Sequence, residues 1–442
     1  MDTSQPCRWK RSSDVLTQQV GPQHEKMDGF YFSTISANGI NHRIASTVPN
    51  LLARGKDDSE ERGCRNGTAI LVMFLHGFPE SWYSWRHQLR CLKNNNMYLG
   101  VAPDMRGYGS TAQPVDVQAY TQPVLARDVI EIADKLGYQQ FIVVGHDFGA
   151  QLAWNIALLY PSRVLGVFAM SVPYAGTPKA GWLTMLQERY GRCLHRANGS
   201  SDSNNKSKAT NLNVIPREEL EKVRFHYILH HNLPRAEEVY DKNCREALYR
   251  LYGYCKGCET EEGTPEYDRN GLMFPSTGNI EKDRSRVLDA TAAPGMWLRK
   301  PRPKQLPSWF TQQDLDYYVG EFERAGFLGA LRWYQTFDIN YEMMNHLLSQ
   351  KDGSITDTVK SPAMFMIGDD DSVLQMFGGQ GNLLAKLKLN VPNLVREPIF
   401  VKDCGHWIQQ EVPELVNDIL LEVLDDFASK HRHATTKMYS KF

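Results

Sequence analysis

The chain has 442 residues, a formal net charge of −1 and an apolar fraction of 42%. That length suits one large α/β domain carrying an insertion, and the near-zero charge gives no general attraction to nucleic acid or to an acidic membrane. No apolar run approaches the ~18 residues of a transmembrane helix, and eight cysteines in so long a chain do not make a disulfide framework.

The first 26 residues are polar, with Pro6 and Pro22, and lack the apolar centre of a signal peptide. The expectation is an intracellular, cytoplasmic protein, with 1–28 as a mobile lead-in. The sequons at Asn66, Asn198 and Asn205 carry little meaning without secretion. Tyr31 to Ala37 reads as a strand, Asn38-Gly39 as a two-residue hairpin turn and Ile40 to Ile44 as the returning strand. Leu51 to Asn66, rich in charge and glycine, reads as an exposed loop. Ala69 to Leu75 is a buried strand leading into His76-Gly77-Phe78-Pro79-Glu80, and Ser81 is placed to cap a helix over Trp82 to Leu92. Met97 to Ala102 is the next strand and runs into the turn Arg106-Gly107-Tyr108-Gly109-Ser110. Gln122 to Leu136 is an amphipathic helix with Leu125, Val129, Ile132 and Leu136 on one face.

Phe141-Ile142-Val143-Val144 then reads as a fully buried strand, followed by Gly145-His146-Asp147-Phe148-Gly149 and a helix from Gln151 to Tyr160 stopped at Pro161. A strand, a turn flanked by small residues and a helix form the nucleophile elbow of the α/β-hydrolases. Its tip is usually serine; here it is Asp147. Arg163 to Val172 is another strand, and the alternation of strands and helices predicts a mostly parallel sheet covered by helices on both faces.

From about 175 to 350 no buried strand is evident. Helical patterns occupy Arg217 to His231, Ala236 to Tyr252, Gln312 to Ala325 and Leu328 to Leu348, with low-complexity or Gly/Pro-rich inserts near 198–213 and 253–307 read as disordered. The sheet resumes at Ala363 to Ile367 and Pro398 to Val401, and a helix from Glu411 to Lys430 closes it. The predicted organisation is an α/β-hydrolase core over 29–174 and 351–430, a helical cap over 175–350 and a tail over 431–442.

In this fold the triad runs nucleophile, acid, histidine in chain order, each following a strand. Asp147 follows Val144. Gly368-Asp369-Asp370-Asp371 follows Ile367, and Asp403-Cys404-Gly405-His406-Trp407 follows Val401. His406 is the expected base. Asp371 is the preferred acid because Val373 can anchor its loop, with Asp370 as the alternative. Cys255-Lys256-Gly257-Cys258 has metal-ligand spacing, but no second pair has it, so no metal site is expected.

His76-Gly77-Phe78-Pro79-Glu80, Arg106 to Ser110, Gly145 to Gly149 and Cys404-Gly405-His406-Trp407 together resemble the soluble epoxide hydrolases over roughly Gly29 to Ala428. The resemblance implies two cap tyrosines that hydrogen-bond to the epoxide oxygen. Tyr227, in Phe225-His226-Tyr227-Ile228-Leu229, and Tyr334, in Ala330-Leu331-Arg332-Trp333-Tyr334, match their segments. Tyr190 and Tyr249 are fallbacks for the first. The resemblance also implies oxyanion donors at the backbone N–H groups of Phe78 and Phe148, and a cis bond before Pro79. Trp333, Trp407 and Phe148 are expected to line the pocket. Many relatives carry Trp where this chain has Phe148.

A carboxylate is ionised at neutral pH without a base, its reference pKa being ~3.9. It suits attack on an epoxide carbon, and phenols suit the developing oxygen charge. The expected activity is cofactor-independent conversion of an epoxide and water to a vicinal diol, through an ester on Asp147 that water activated by His406 hydrolyses. The expected partner is a small-molecule epoxide, and a homodimer is compatible with the sequence. The same Asp would serve a haloalkane or haloacid dehalogenase, with Trp333 as a candidate halide donor. A non-catalytic binding protein on this fold is the alternative of another class. Ser440-Lys441-Phe442 is a weak variant of a peroxisomal address.

Overall fold

A computed structural model describes residues 26–27, 29–49, 51–52, 69–178, 180–186, 226–254, 258–261, 295–300, 302–349 and 357–439. Tyr190, Cys255, the sequons at Asn66, Asn198 and Asn205, the insert 198–213 and Ser440-Lys441-Phe442 lie outside them, as do 217–225 of the first predicted cap helix.

A nine-stranded sheet forms the centre, in the order β1-β2-β3-β5-β4-β6-β7-β8-β9. The strands are β1 (Lys26–Met27), β2 (Phe30–Ala37), β3 (Ile40–Ser46), β4 (Ile70–Leu75), β5 (Tyr98–Pro103), β6 (Phe141–His146), β7 (Val164–Met170), β8 (Ala363–Gly368) and β9 (Ile399–Val401). The first three are antiparallel, and β3 meets β5 antiparallel. All pairings from β5 to β9 are parallel.

The sheet is buried on both faces because its central strands are apolar along their length, apart from His146 at the end of β6. Side chains alternate between faces. Phe141 and Val143 of β6 enter one core with Leu71 and Met73, while Ile142 and Val144 enter the other with Val72 and Phe74. Helices α2 (Gln122–Lys135) and α3 (Phe148–Leu159) cover the first face through Leu125, Val129, Leu152 and Ile156. Helix α1 (Arg86–Leu92) and the closing helix Pro413–Tyr439 cover the second through Leu89, Leu92, Leu420 and Phe427. Asn38 and Gly39 both take positive φ, +47° and +77°, as a two-residue hairpin with the right-handed twist of its strands requires.

Several boundaries differ from the sequence reading. Lys26–Met27 pairs with Phe30 and Tyr31, so the sheet begins inside the lead-in. The stretch Trp82 to Leu92 opens as a 3-10 turn over Trp82–Trp85, capped by Ser81 through the Tyr83 N–H, before α1 begins. The pattern over Ala236 to Tyr252 is two helices, Ala236–Lys242 and Cys244–Gly253, separated at Asn243 with φ −129°. The pattern over Leu328 to Leu348 is also two, Leu328–Gln335 and Phe337–Ser349. They part at Thr336, whose hydroxyl donates to the Trp333 carbonyl. The described parts of 253–307 are ordered rather than disordered. Thr260 bridges to Pro303, and a 3-10 turn over Met296–Arg299 buries Trp297. The closing helix runs to Tyr439, into the predicted tail. Helix Gln380–Asn390 was not expected.

The helices after β7 are fixed to the core by buried polar contacts. The Trp333 indole N–H donates to the Arg106 carbonyl at 3.0 Å, and the Tyr252 hydroxyl to the Pro79 carbonyl at 2.8 Å. Arg43 holds Asp104 of the core at 2.5 Å and Glu321 of helix Gln312–Ala325 at 2.6 Å. Among the described residues no helix is long and apolar enough to cross a membrane, and no group of three or more His, Cys, Asp or Glu could hold a metal ion.

Candidate active site

Asp147 occupies the turn between β6 and α3 with φ +52° and ψ −119°. A non-glycine residue in the left-handed half of the map costs of order 1–3 kcal/mol and persists only where its surroundings impose it. Here small neighbours impose it. A Cβ on Gly149 would stand 1.9 Å from the Leu75 carbonyl oxygen, and one on Gly145 would stand 2.3 Å from that of Gly149. The turn is therefore clamped against the end of β4, and the Asp147 carboxylate projects over the loop that follows that strand.

On that loop the Phe78 N–H donates to Asp147 Oδ1 at 3.0 Å. The Phe78–Pro79 bond is cis. Phe148 is the first residue of α3, where N–H groups have no partner inside the helix. The other carboxylate oxygen, Oδ2, faces His406 Nε2 at 3.7 Å.

His406 and Asp371 meet because glycine ends β8. A Cβ on Gly368 would stand 2.2 Å from the Cys404 carbonyl oxygen, so the two loops touch there. Asp371 is fully buried and caps helix Ser372–Met376, accepting the Val373 N–H at 2.9 Å. Its two oxygens lie 3.0 and 3.1 Å from His406 Nδ1. Asp370 is partly exposed, and its N–H bonds to the Cys404 carbonyl instead. Burial alone would lower the His406 pKa. The Asp371 charge and hydrogen bond, followed by the charges of Asp147 and Glu80, outweigh it and raise the pKa to about 9. Burial would raise the Asp371 pKa; His406, Ser171 and the Val373 N–H reverse this and hold it below the usual carboxylate range.

The sequence reading missed the groups that hold this pair. Glu411 accepts the N–H groups of Gly405 and Trp407, both at 2.8 Å, so it grips the backbone on each side of His406. His146 Nε2 faces the His406 carbonyl oxygen at 2.7 Å, and its Nδ1 faces Glu80 at 3.0 Å. Glu80 also accepts the Gly77 N–H at 2.7 Å and the Gln409 side chain at 2.8 Å. One buried carboxylate thus ties the loop carrying Phe78 to the loop carrying His406. Ser171, at the end of β7, donates to Asp371 Oδ2 at 2.6 Å and lies 3.0 Å from His406 Nδ1. Glu80 and His146 stand in recognisable motifs. No sequence signal marks Ser171 or Glu411.

Tyr227 and Tyr334 come together from different helices, His226–His231 and Leu328–Gln335, with ring centroids 5.9 Å apart at 88°. Tyr334 also packs on Phe78 at 5.2 Å and on Phe148 at 4.7 Å. Burial raises both hydroxyl pKa values; the Asp147 charge adds to it at Tyr227, and Tyr227 followed by the Asp147 charge adds to it at Tyr334. Both are therefore neutral donors at physiological pH. Tyr249 is directed elsewhere. Its hydroxyl donates to the Pro303 carbonyl and its ring carries Arg302. Trp333 packs against Phe148 at 5.5 Å, and Trp407 against His406 at 4.7 Å.

A family model described as the alpha/beta hydrolase fold matches residues 70–203. The chain is 34% identical over 356 residues to Epoxide hydrolase B of Mycobacterium tuberculosis, covering 80% of this chain and 91% of that one. It is 29% identical over 407 residues to Epoxide hydrolase 3 of Siraitia grosvenorii, covering 91% of this chain and all of the other. The crystal structure of Epoxide Hydrolase A from Mycobacterium thermoresistibile superposes with a TM-score of 0.64 at 27% identity, covering 89% and 98% of the two chains. Fold, relatives and solved structures agree: the chain belongs to the epoxide hydrolases of the α/β-hydrolase superfamily.

Proposed function

We propose that this epoxide hydrolase works through a covalent ester on Asp147, resolved by water that His406 activates. The observation that carries the reading is the division of labour on one carboxylate. Oδ1 is held by the Phe78 N–H, while Oδ2 faces His406. In the first half-reaction Oδ2 attacks an epoxide carbon from the side opposite the C–O bond. That bond breaks, its electron pair stays on oxygen, and a phenol of Tyr227 or Tyr334 supplies the proton. Esterification removes the Asp147 charge, one of the interactions raising the His406 pKa. The imidazole then gives up its proton more readily and becomes a competent base.

In the second half-reaction His406 Nε2 takes a proton from water, whose oxygen attacks the ester carbonyl carbon. Oδ1 carries the developing charge, stabilised by the Phe78 and Phe148 N–H groups. The tetrahedral species collapses with cleavage of its bond to Oδ2, and the diol oxygen takes the proton from His406. The acid left on Asp147 gives up its remaining proton, which replaces through solvent the one the phenol donated, so that carboxylate and phenol are both restored. Asp371 stabilises the imidazolium without itself titrating. The helical segments between 175 and 350 serve as the cap that supplies the phenols, and Trp333, Trp407 and Phe148 wall the substrate pocket. No step calls on a cofactor.

Dehalogenation by the same nucleophile needs N–H donors at the leaving atom. The Trp333 indole N–H is already committed to the Arg106 carbonyl, which favours oxygen over halide as the leaving group. A binding protein without turnover has no use for the aligned Asp147, His406 and Asp371. The test is a panel of aryl, alkyl and fatty-acid oxiranes beside short haloalkanes. Diol formation abolished by Asp147→Ala supports the reading; halide release without diol formation overturns it.

A further inference from the structure

The end of β7 carries a group that the mechanism above does not use. Ser171 is fully buried, with φ +69°. Its backbone N–H is tied to the Met366 carbonyl of β8 at 3.0 Å, which fixes where its side chain begins. Left-handed backbone favours glycine, and a serine there sacrifices about 1 kcal/mol relative to an unstrained residue. The chain nonetheless keeps a hydroxyl at this point, between the two members of the acid–base pair.

The hydrogen-bond directions follow from which groups can donate. The Asp371 carboxylate only accepts, so the Ser171 O–H, 2.6 Å from Oδ2, donates to it. His406 Nδ1 then bears a proton facing three oxygens: Asp371 Oδ1 at 3.0 Å, Asp371 Oδ2 at 3.1 Å and Ser171 Oγ at 3.0 Å. The result is a closed triangle, with imidazole donating to carboxylate and hydroxyl while hydroxyl donates to carboxylate. Without the hydroxyl, the imidazole can swing about Nδ1 toward either carboxylate oxygen. With it, a third vertex fixes the ring plane and so the direction of Nε2.

We infer that Ser171 is a positioning residue for the second half-reaction, holding the His406 ring and the Asp371 carboxylate in the one orientation that aims Nε2 at the ester on Asp147. The inference rests on the covalent reading of Asp147 given above. It also assigns the hydroxyl no part in ester formation, because in that reading neither of its two partners attacks or protonates the epoxide.

The test is single-turnover kinetics with excess enzyme and a chromophoric aryl oxirane, following protein mass and diol together, on the wild type, Ser171→Ala and Ser171→Gly. Alanine keeps the strained backbone and loses the hydroxyl; glycine loses both the hydroxyl and the strain. Both variants are expected to form ester within about twofold of the wild-type rate. Both should hydrolyse it about ten- to a hundredfold more slowly, the range for losing a hydrogen bond to a charged group. In the steady state kcat and KM then fall together and kcat/KM stays near wild type. Removing a donor from Asp371 concentrates its negative charge, so the acidic limb of kcat moves to higher pH. Intact ester formation shows that each variant is folded.

Ester decay at the wild-type rate in Ser171→Ala overturns the inference. So does a normal decay rate in Ser171→Gly beside a slow one in Ser171→Ala, which assigns the effect to backbone strain alone. A wild-type enzyme that never gains the mass of a substrate on the peptide carrying Asp147 fails the covalent reading itself, and the inference with it.

Discussion

The backbone N–H of Phe78 already grips Oδ1 of Asp147 at 3.0 Å before any substrate is present. The oxyanion donor of the second half-reaction is thus pre-aimed during the first, so it needs no reorganisation when charge develops on Oδ1. The approach depends on the residue before it. A Cβ on Gly77 would stand 2.5 Å from Asp147 Oδ1 and from its Cβ.

Gly77→Ala is therefore expected to push the nucleophile off its line. Displacement of a reacting group by about 1 Å costs on the order of 100-fold. A loss of that size in kcat/KM, with an unchanged circular dichroism spectrum, is the expected outcome. Retention of wild-type kcat/KM would mean that the two loops have slack which the contact distances deny.

Tyr227→Phe and Tyr334→Phe remove the donors to the leaving oxygen. Each is expected to slow ester formation by about 100-fold or more, the usual worth of a positioned general acid. Ester hydrolysis should be left alone, so rapid quench should find no accumulated ester. An accumulated ester in either variant would place that phenol in the wrong half-reaction.

His406→Gln should do the reverse. Ester forms, decay nearly stops, and intact-protein mass spectrometry finds stoichiometric adduct on the peptide containing Asp147. In the wild type, NMR should titrate His406 with a pKa of about 9. Asp147→Asn should lower that value, because it removes a negative charge facing Nε2.

The same raised pKa links to stability. The folded value of about 9 lies above the His reference of ~6.5. Protonated His406 therefore stabilises the fold fully below about pH 6.5, and the contribution is lost as pH rises through about 9. The difference in Tm between wild type and His406→Ala should accordingly shrink from pH 6 toward pH 9.5. A difference that grows with pH would reverse the sign of the argument.

Much of this was legible in the sequence because it is local. The runs Phe141 to Val144 and Ala363 to Ile367 are buried on both faces and read as strands without help. Asp371 separates from Asp370 through its spacing to Val373, a cap that the structure contains. What stayed hidden is long-range. Ser171 meets its partners across 200 and 235 positions, and Glu80 meets Gln409 across 329. A single serine after a strand, or a glutamate at the end of a loop motif, carries no periodicity that could announce such contacts. The helix breaks at Asn243 and Thr336 were invisible for another reason: the apolar pattern runs through both, while the side chains there bond back to the Val239 and Trp333 carbonyls.

The most direct test of the covalent ester is one turnover in oxygen-18 water with enzyme in excess over an aryl oxirane. If water attacks the ester carbonyl, the diol leaves unlabelled and the new oxygen is found in the carboxylate of Asp147. Diol that carries the label after that first turnover, beside an unlabelled Asp147, would contradict the account.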